Sequence, residues 1–122
     1  MAYDSRRGVT VMHGGYSRNR RGYSSRTWEW DGNTWTLLAV HGPPMTGAGM
    51  AYDSDRGLTV LFGRNRRTQV DETWEWDGVT WSKSAAECGV SFGELAYDSF
   101  RGEMIKLGGI YGVQTWVYRD VP

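Results

Sequence analysis

The sequence predicts an all-β protein, and three observations lead to that prediction. The tetrapeptide Ala-Tyr-Asp-Ser occurs three times, beginning at Ala2, Ala51 and Ala96, at intervals of about 45 to 50 residues. Runs of β-branched and aromatic residues alternate with glycine-containing turns, and few runs favour a helix. The 122 residues include seven Trp, seven Tyr and seventeen Gly, which is typical of short strands joined by tight turns. We therefore expect one domain, residues 1–122, made of three repeats.

The first strand of each repeat ends in a turn marked by an aspartate, an arginine three residues later and a glycine. These residues are Asp4, Arg7 and Gly8, then Asp53, Arg56 and Gly57, then Asp98, Arg101 and Gly102. Aspartate can accept hydrogen bonds from the backbone beyond it, and glycine tolerates positive φ. Because the set recurs in every copy, we interpret it as structural, with the arginine paired to the aspartate or lying over a Trp. The recurring Glu29 and Glu75 are interpreted as strand positions that are paired locally.

A second and a third strand follow each turn, separated by a polar connection of variable length. The second strands are predicted at 8–13, 58–63 and 104–109, and the third at 27–30, 73–76 and 115–118. Asp31-Gly32 and Asp77-Gly78 predict two-residue hairpins that lead into fourth strands beginning at Thr34 and Thr80. The first two repeats therefore form four antiparallel strands each, whereas the third reaches residue 122 where its hairpin and fourth strand would begin.

Four-stranded units at this period, joined in succession by short linkers, are typical of the blades of a β-propeller. We predict three blades, at approximately 1–39, 46–84 and 92–120. Residue size supports this prediction, because small residues occupy the first strands, where a blade is narrow, and Trp residues occupy the wider third and fourth strands. The small residues are Ala2, Gly47, Ala48, Gly49, Ala51, Gly93 and Ala96.

These features resemble the kelch repeat, in which an apolar strand ends in a Gly pair and is followed by an aromatic residue and then by a Trp five or six positions on. The matching positions are Trp30 and Trp35, Trp76 and Trp81, and Tyr118. The resemblance covers essentially the whole chain and implies an interaction scaffold. Arg64 stands where the family has the second Gly, which predicts that the turn in the second repeat either differs or tolerates strain. The Trp-Asp dipeptides also occur in WD-type propellers, but the Gly pair before the third strand favours kelch.

A propeller closes with about four to eight blades, so three blades would leave an apolar face open at each end. We expect a two-fold homodimer in which each chain supplies three blades of a six-bladed ring. The alternative is that the chain is a segment of a longer propeller.

Composition excludes several other classes of function. Fourteen basic and fourteen acidic residues cancel, so net charge does not favour nucleic acid or a membrane surface. The single Cys88 excludes an intrachain disulfide and a Cys-built zinc site. His13 aligns with apolar positions of the other repeats and is expected to pack, whereas His41 lies in a linker and is expected to be exposed. No metal-ligand or nucleophile pattern occurs, so we predict no catalytic residue, metal or cofactor.

Targeting signals are absent from the pattern as well. No apolar run approaches 18 residues, and no charged-then-apolar leader follows Met1. We therefore expect neither a membrane span nor a signal peptide, and a cytoplasmic location by default.

The repeats differ most in the connection between the second and third strands, and function is more often found where copies differ. Half of the fourteen basic residues lie in two of these connections, 16–26 and 64–69, which are expected on the same face as the linkers between blades. The candidate ligand-binding residues are Tyr16, Arg18, Arg20, Arg21, Tyr23, Arg64, Arg66 and Arg67. Arginine forks interleaved with tyrosine suit an acidic peptide, a phosphorylated group or an acidic glycan. The predicted function is therefore that of a binding module.

Three alternatives stay open at this point. The basic loops can be solvated segments without a ligand, and basic-aromatic interleaving also fits single-stranded nucleic acid, although the patch is short and the net charge is zero. Some kelch propellers act on sugars, which makes a carbohydrate-active enzyme or epimerase the competing class. Glu94 is the one carboxylate on a predicted inner strand that would suit such chemistry.

Overall fold

The computed structural model describes residues 1–85, 93–108 and 115–118, with Trp116 and Tyr118 described by their backbone only. Within these ranges every regular element is a β-strand, so the all-β prediction is confirmed. The same ranges contain no helix that is long and apolar enough to cross a membrane. Cys88 and its linker, as well as the predicted end of the third repeat at 119–122, lie outside the described residues.

The first repeat forms a four-stranded antiparallel sheet. Its strands are β1 (Ala2–Asp4), β2 (Val9–His13), a short hairpin of β3 (Tyr16–Ser17) and β4 (Gly22–Tyr23), then β5 (Thr27–Trp30) and β6 (Trp35–Ala39). The order in the sheet is β1-β2-β5-β6, as predicted, and the β3–β4 hairpin stands apart from it. The sequence predicted only a polar connection where this hairpin lies.

The second and third repeats follow the same order. The second sheet contains β7 (Met45–Asp53), β8 (Leu58–Asn65), β9 (Asp71–Trp76) and β10 (Trp81–Ser84), in chain order. The third contains β11 (Glu94–Asp98), β12 (Glu103–Leu107) and β13 (Thr115–Tyr118) within the described residues. All pairings are antiparallel.

The turn after each first strand has the predicted chemistry. Oδ1 of Asp4 accepts hydrogen bonds from the backbone N–H groups of Arg6 and Arg7, both at 3.0 Å, and Oδ2 pairs with Nε of Arg7 at 2.7 Å. Gly8 adopts a φ of 70° and donates to the Asp4 carbonyl. Asp53 and Asp98 likewise accept from the backbone N–H of the arginine three residues later, and their Oδ2 atoms accept from Nε of Arg56 and Nη1 of Arg101. The predicted capping of the turn by aspartate and the predicted pairing of arginine with that aspartate are therefore confirmed.

The hairpins between third and fourth strands are longer than predicted. The connection from Asp31 to Thr34 has four residues, and the fourth strand begins at Trp35, one residue later than expected. Oδ1 of Asp31 accepts from the backbone N–H of Asn33 at 2.8 Å and of Thr34 at 2.7 Å. These side-chain bonds stabilise the four-residue connection, and Asp77 makes the equivalent pair.

The second repeat turns differently from the first, which is one of the two outcomes that the Gly-to-Arg difference predicted. Gly14 and Gly15 have φ values of 80° and 106° and end the strand in the first repeat. Arg64 instead lies inside β8, which continues to Asn65 before the chain turns. Gln69 closes that turn with a φ of 60°.

Successive sheets pack against each other in chain order, and their first strands β1, β7 and β11 are neighbours. The small residues predicted for these strands permit the close approach, because a Cβ on Gly49 would lie 3.1 Å from the carbonyl oxygen of Gly93. The hydrophobic core between the second and third sheets contains Val60, Phe62, Leu95 and Met104. Within the described ranges the sheets do not close into a ring.

Candidate functional site

The two basic connections of the first and second repeats meet in space. Nη2 of Arg66 donates to Oγ of Ser25 at 2.9 Å and to the carbonyl oxygen of Tyr23 at 3.4 Å. The guanidinium carbon of Arg66 lies 5.7 Å from the centre of the Tyr23 ring, within the range of a cation–π contact. Arg66 therefore joins the second repeat to the connection of the first.

A cleft of about 390 Å³ lies between these connections, and we call it the Arg–Tyr cleft. Its lining residues are Ser17, Arg20, Gly22, Tyr23, Ser24, Ser25, Arg26, Val40, His41, Arg66 and Arg67. Four of these residues are arginines, and none of the described lining residues is an aspartate or a glutamate. The cleft is therefore positively charged although the chain as a whole has a formal net charge of zero.

The β3–β4 hairpin presents the aromatic side of the cleft. Tyr16 and Tyr23 are paired across the two strands, and their rings meet edge to face with centres 5.3 Å apart. Arg21 adopts a φ of 49°, which closes the tight turn between the strands. Both tyrosines are exposed, so their rings offer contact area to a bound group.

A buried asparagine positions the second basic connection. Oδ1 of Asn65 accepts from the backbone N–H of Arg67 at 2.9 Å and of Thr68 at 3.2 Å. Its Nδ2 donates to Oε2 of Glu72 at 3.1 Å. Burial acts to raise the pKa of Glu72, but hydrogen bonds from Trp74 and Asn65 outweigh it and hold that pKa below its usual range. The charged Glu72 thus anchors the turn that carries Arg66 and Arg67.

Not all the residues predicted from the sequence reach the cleft. Arg20, Tyr23, Arg66 and Arg67 line it, and Tyr16 contacts it through Tyr23. Arg18 and Arg21 are exposed in the hairpin turn and are not lining residues. Arg64 is also outside, because it lies on a paired strand beside Asp71, with 3.4 Å between Nε and Oδ1. Its charge is offset by that carboxylate.

Several lining residues were not selected from the sequence. Arg26 lies at the end of the first basic connection, and Val40 and His41 come from the linker after the first sheet. The prediction that linkers and basic connections share one face was the signal that could have found the linker residues. Ser24 and Ser25 carry no comparable signal, because isolated serines are common in loops.

A second cleft has a volume of about 360 Å³, and three tryptophans and two prolines are among its described lining residues. Trp76 and Trp81 contact each other with ring centres 5.3 Å apart, and Pro43 and Pro44 face them from the linker. His41 lines both clefts and is exposed, as predicted. The two clefts therefore share His41 as a lining residue.

His13 holds the linker in place and is a packed residue, as predicted. Its Nε2 lies 2.9 Å from the carbonyl oxygen of Pro43, and its Nδ1 lies 2.9 Å from Oγ1 of Thr27. The ring meets Trp81 edge to face at 4.9 Å. Burial lowers the pKa of His13, because desolvation disfavours the charged imidazolium.

The described residues contain no group of three or more His, Cys, Asp or Glu that could hold a metal ion. Glu94, the carboxylate considered for sugar chemistry, is an exposed residue at the start of β11. Its pairing partner in the sheet is Leu107. The residue paired with Glu94 across the sheet is therefore not a carboxylate.

No family model and no curated protein matches this chain. The fold therefore defines only the class of the protein, which is all-β and built from antiparallel sheets. Its distinguishing feature is the positive cleft formed by two successive repeats.

Proposed function

We propose that this protein is a kelch-like propeller segment that works as a binding module, recognises an anionic partner through the Arg–Tyr cleft and assembles by self-association. The observation that supports this function best is the convergence of four arginines from two repeats on one cleft. Like charges that approach without a carboxylate among them repel each other, which is a cost that a bound anion removes.

The chemistry of the lining favours a carboxylate or a phosphate. An arginine fork binds either group with two parallel hydrogen bonds, and charge-assisted bonds of this kind are about twice as strong as neutral ones. Serine hydroxyls beside the arginines can donate to further anion oxygens. A volume of about 390 Å³ is at the small end of ligand pockets and suits one charged group with its neighbouring residues.

The repeat arrangement supports the kelch-like propeller part of the proposal. Three sheets follow one another with their first strands as neighbours, and small residues permit that approach. Blades that taper toward an axis require these features.

Binding is tested with fluorescent peptides that share one sequence and carry Glu, phosphoserine or Ser at three positions, beside an acidic glycan and a single-stranded oligonucleotide. We expect the Glu or phosphoserine peptide to bind, the Ser peptide not to bind, and affinity to fall with added salt. A comparison of the Glu peptide with the phosphoserine peptide shows whether the recognised group is a carboxylate or a phosphate. Exclusive binding of the oligonucleotide, or no salt-sensitive binding by any probe, would overturn the proposal.

A matched pair of double variants locates the site. Arg20→Ser with Arg67→Ser removes one lining arginine from each basic connection, whereas Arg18→Ser with Arg64→Ser removes one arginine from each that lies outside the cleft. We expect the double variant at Arg20 and Arg67 to weaken binding about tenfold or more, and the double variant at Arg18 and Arg64 to weaken it less than about threefold. An equal loss in both pairs would show that general surface charge, and not the cleft, attracts the partner.

A further inference from the structure

The contacts between the first two sheets define two kinds of sheet face. We call the face that carries the tyrosine of the first strand the leading face, and the opposite one the trailing face. Trp81, on the leading face of the second sheet, donates from Nε1 to Oγ1 of Thr27 at 2.8 Å. Tyr52, on the same face, is buried beside Asp4. The pKa of Tyr52 is raised first by this burial and second by the Asp4 carboxylate. The leading face of one sheet therefore packs on the trailing face of the sheet before it.

The second and third sheets repeat this arrangement. The hydroxyl of Tyr97 donates to Oδ2 of Asp55 at 2.7 Å, in the turn that follows Asp53. Burial, then Asp55 and Asp53, raise the pKa of Tyr97. Tyr52 and Tyr97 of the Ala-Tyr-Asp-Ser stretches thus each contact the aspartate turn of the preceding repeat.

The leading face of the first sheet carries the same side chains without a covering sheet in the described structure. Tyr3 is 59% exposed, whereas its equivalent Tyr52 is 9% exposed. Trp30 and Trp35 already contact each other at 5.5 Å and 43°, close to the 5.3 Å and 41° of the equivalent pair in the second sheet. Trp35 is 41% exposed in this arrangement. The first sheet therefore presents a preformed leading face.

The trailing face of the third sheet is open in the complementary way. Leu107 is 51% exposed, whereas Phe62, at the equivalent position of the second sheet, is buried. Val117 on the same face is 49% exposed. Thr115 occupies the place of Thr27 and is exposed. Asp98 occupies the place of Asp4, with its own turn and its own arginine. Thr27 and Asp4 of the first sheet thus have equivalents on this face, whereas Val117 stands at the position equivalent to Glu29.

We propose that these two faces bind each other between two copies of this chain, an inference that rests on the self-association and the three-blade division in the proposed function. By equivalence with the internal contacts, Tyr3 of one copy meets the Asp98 turn of the other, and Trp35 donates to Thr115. Trp30 packs on Val117, so the interface between copies is more apolar than the one between the first two sheets.

The number of sheets selects two copies. Within the described residues each copy presents one uncovered leading face and one uncovered trailing face, so two copies related by a two-fold axis form two identical interfaces between these faces. Three sheets from each of two copies make six, which is within the four to eight that close a propeller, whereas one copy or three copies fall outside that range.

The assembly is tested by light scattering and sedimentation on the whole chain. We expect twice the chain mass of 13.8 kDa at micromolar concentration. Tyr3→Asp places a carboxylate opposite Asp98, and Val117→Asp places one opposite Trp30, so each variant damages both interfaces of the dimer. We expect either variant to raise the dissociation constant at least 100-fold, while Val79→Asp, at an exposed valine in a hairpin connection of the second sheet, keeps the dimer.

Mixing the variants distinguishes this interface from unfolding and from other occupants of the two faces. A Tyr3→Asp chain and a Val117→Asp chain together form one undamaged interface, so we expect the mixture to recover dimers that neither variant forms alone. Trp35→Phe and Thr115→Val, which each remove one partner of a single hydrogen bond, should raise the dissociation constant about 10-fold. Circular dichroism checks that each variant is folded.

Two results would overturn the inference. The first is a monomer mass for the unmodified chain at tens of micromolar, which would leave the faces to further blades or to another protein. The second is a dimer that Tyr3→Asp and Val117→Asp leave intact. Anion binding is scored separately, because the Arg20→Ser and Arg67→Ser variant retains both end faces and a monomer retains the Arg–Tyr cleft.

Discussion

The indole Nε1 of Trp76 donates a hydrogen bond of 3.1 Å to Oε1 of Glu29, which lies on the preceding sheet. Glu29 also accepts from Nη1 and Nη2 of Arg7 at 3.1 and 2.6 Å, and Arg7 in turn pairs with Asp4. Trp76 and Glu29 are both buried. A residue that the sequence showed only as a recurring strand carboxylate therefore connects two sheets.

The contact between Glu29 and Trp76 should appear as a coupling free energy. We expect Glu29→Gln and Trp76→Phe each to lower the free energy of unfolding by about 1–3 kcal/mol, because each leaves a buried polar partner with a weaker or missing hydrogen bond. The double variant should lose about 1 kcal/mol less than the sum. Urea denaturation measures these values.

Trp74→Phe is the control for this cycle. Trp74 lies on the same strand as Trp76, but its Nε1 donates to Oε2 of Glu72 at 2.8 Å. The loss in unfolding free energy from Trp74→Phe should add to that from Glu29→Gln without a coupling term. Equal coupling for both tryptophans would contradict a direct contact between Trp76 and Glu29.

Stability should depend on pH through His13. Its pKa is lowered from 6.5 by burial, so the unfolded chain binds the proton more readily than the folded chain does. Above about pH 6.5 the neutral His13 does not oppose folding, and the free energy of unfolding falls as pH drops from there through the lowered pKa. Unfolding in urea at pH 7.5, 6.5 and 5.5 measures the slope.

Two histidine variants test whether His13 causes this pH dependence of stability. His13→Gln should be less stable at pH 7.5, because it loses the packing on Trp81, and should show a flatter pH dependence over this range. His41→Gln, at the exposed histidine of the linker, should keep the slope of the unmodified protein. A slope that His41→Gln removes and His13→Gln leaves would refute the assignment.

Gly42 should not tolerate a side chain. A Cβ at this position would lie 2.6 Å from Cε1 of His13, 2.9 Å from the carbonyl oxygen of Ser25 and 3.3 Å from Nε1 of Trp81. We expect Gly42→Ala to cost about 1–3 kcal/mol in thermal or urea unfolding, because backbone and rings must move to accept the methyl group. Gly22→Ala is the matched control, since the nearest atom to its Cβ would be 3.9 Å away, and it should be near neutral.

Asp53 should stabilise the fold in an acid-sensitive way. Burial acts to raise its pKa, but the hydrogen bonds from Arg56 outweigh it and hold that pKa below 3.8. Its contribution is therefore complete above about pH 3.8 and is lost as pH falls through the lowered pKa. Asp53→Asn should cost about 1–2 kcal/mol at pH 7, and the difference from the unmodified protein should shrink below pH 4. A difference that stays constant down to pH 2 would exclude the charge as its origin.

Local chemistry explains why much of the fold could be predicted. The alternation in Thr27–Trp30 and the glycines of the aspartate turns depend on neighbours within a few residues, so β5 and these turns occur where the sequence placed them. The four-residue hairpins were missed because the Asp31 side chain bonds the backbone two and three residues on, which a two-residue signal does not distinguish.

The candidate site could be predicted only in part. Arg20 and Arg66 were selected as basic loop residues, and the structure brings their connections together at one cleft. Arg64 has the same residue type and lies two positions before Arg66, but strand pairing places it beside Asp71. Charge patterning in a sequence cannot distinguish these two, because the difference is the register of β8 on β9.

The sequence by itself determined the three repeats, the all-β class, the strand order within each repeat and the basic character of two connections, since all of these follow from residue type and period. Only the tertiary structure decided which arginines share a cleft, that Glu29 serves the next sheet through Trp76, and which aromatic faces are covered. These properties depend on contacts between residues some 40 to 55 positions apart in the chain, which repeat spacing alone does not determine. Tyr3 and Tyr52 show the difference most simply, because identical local sequences leave one ring exposed and bury the other.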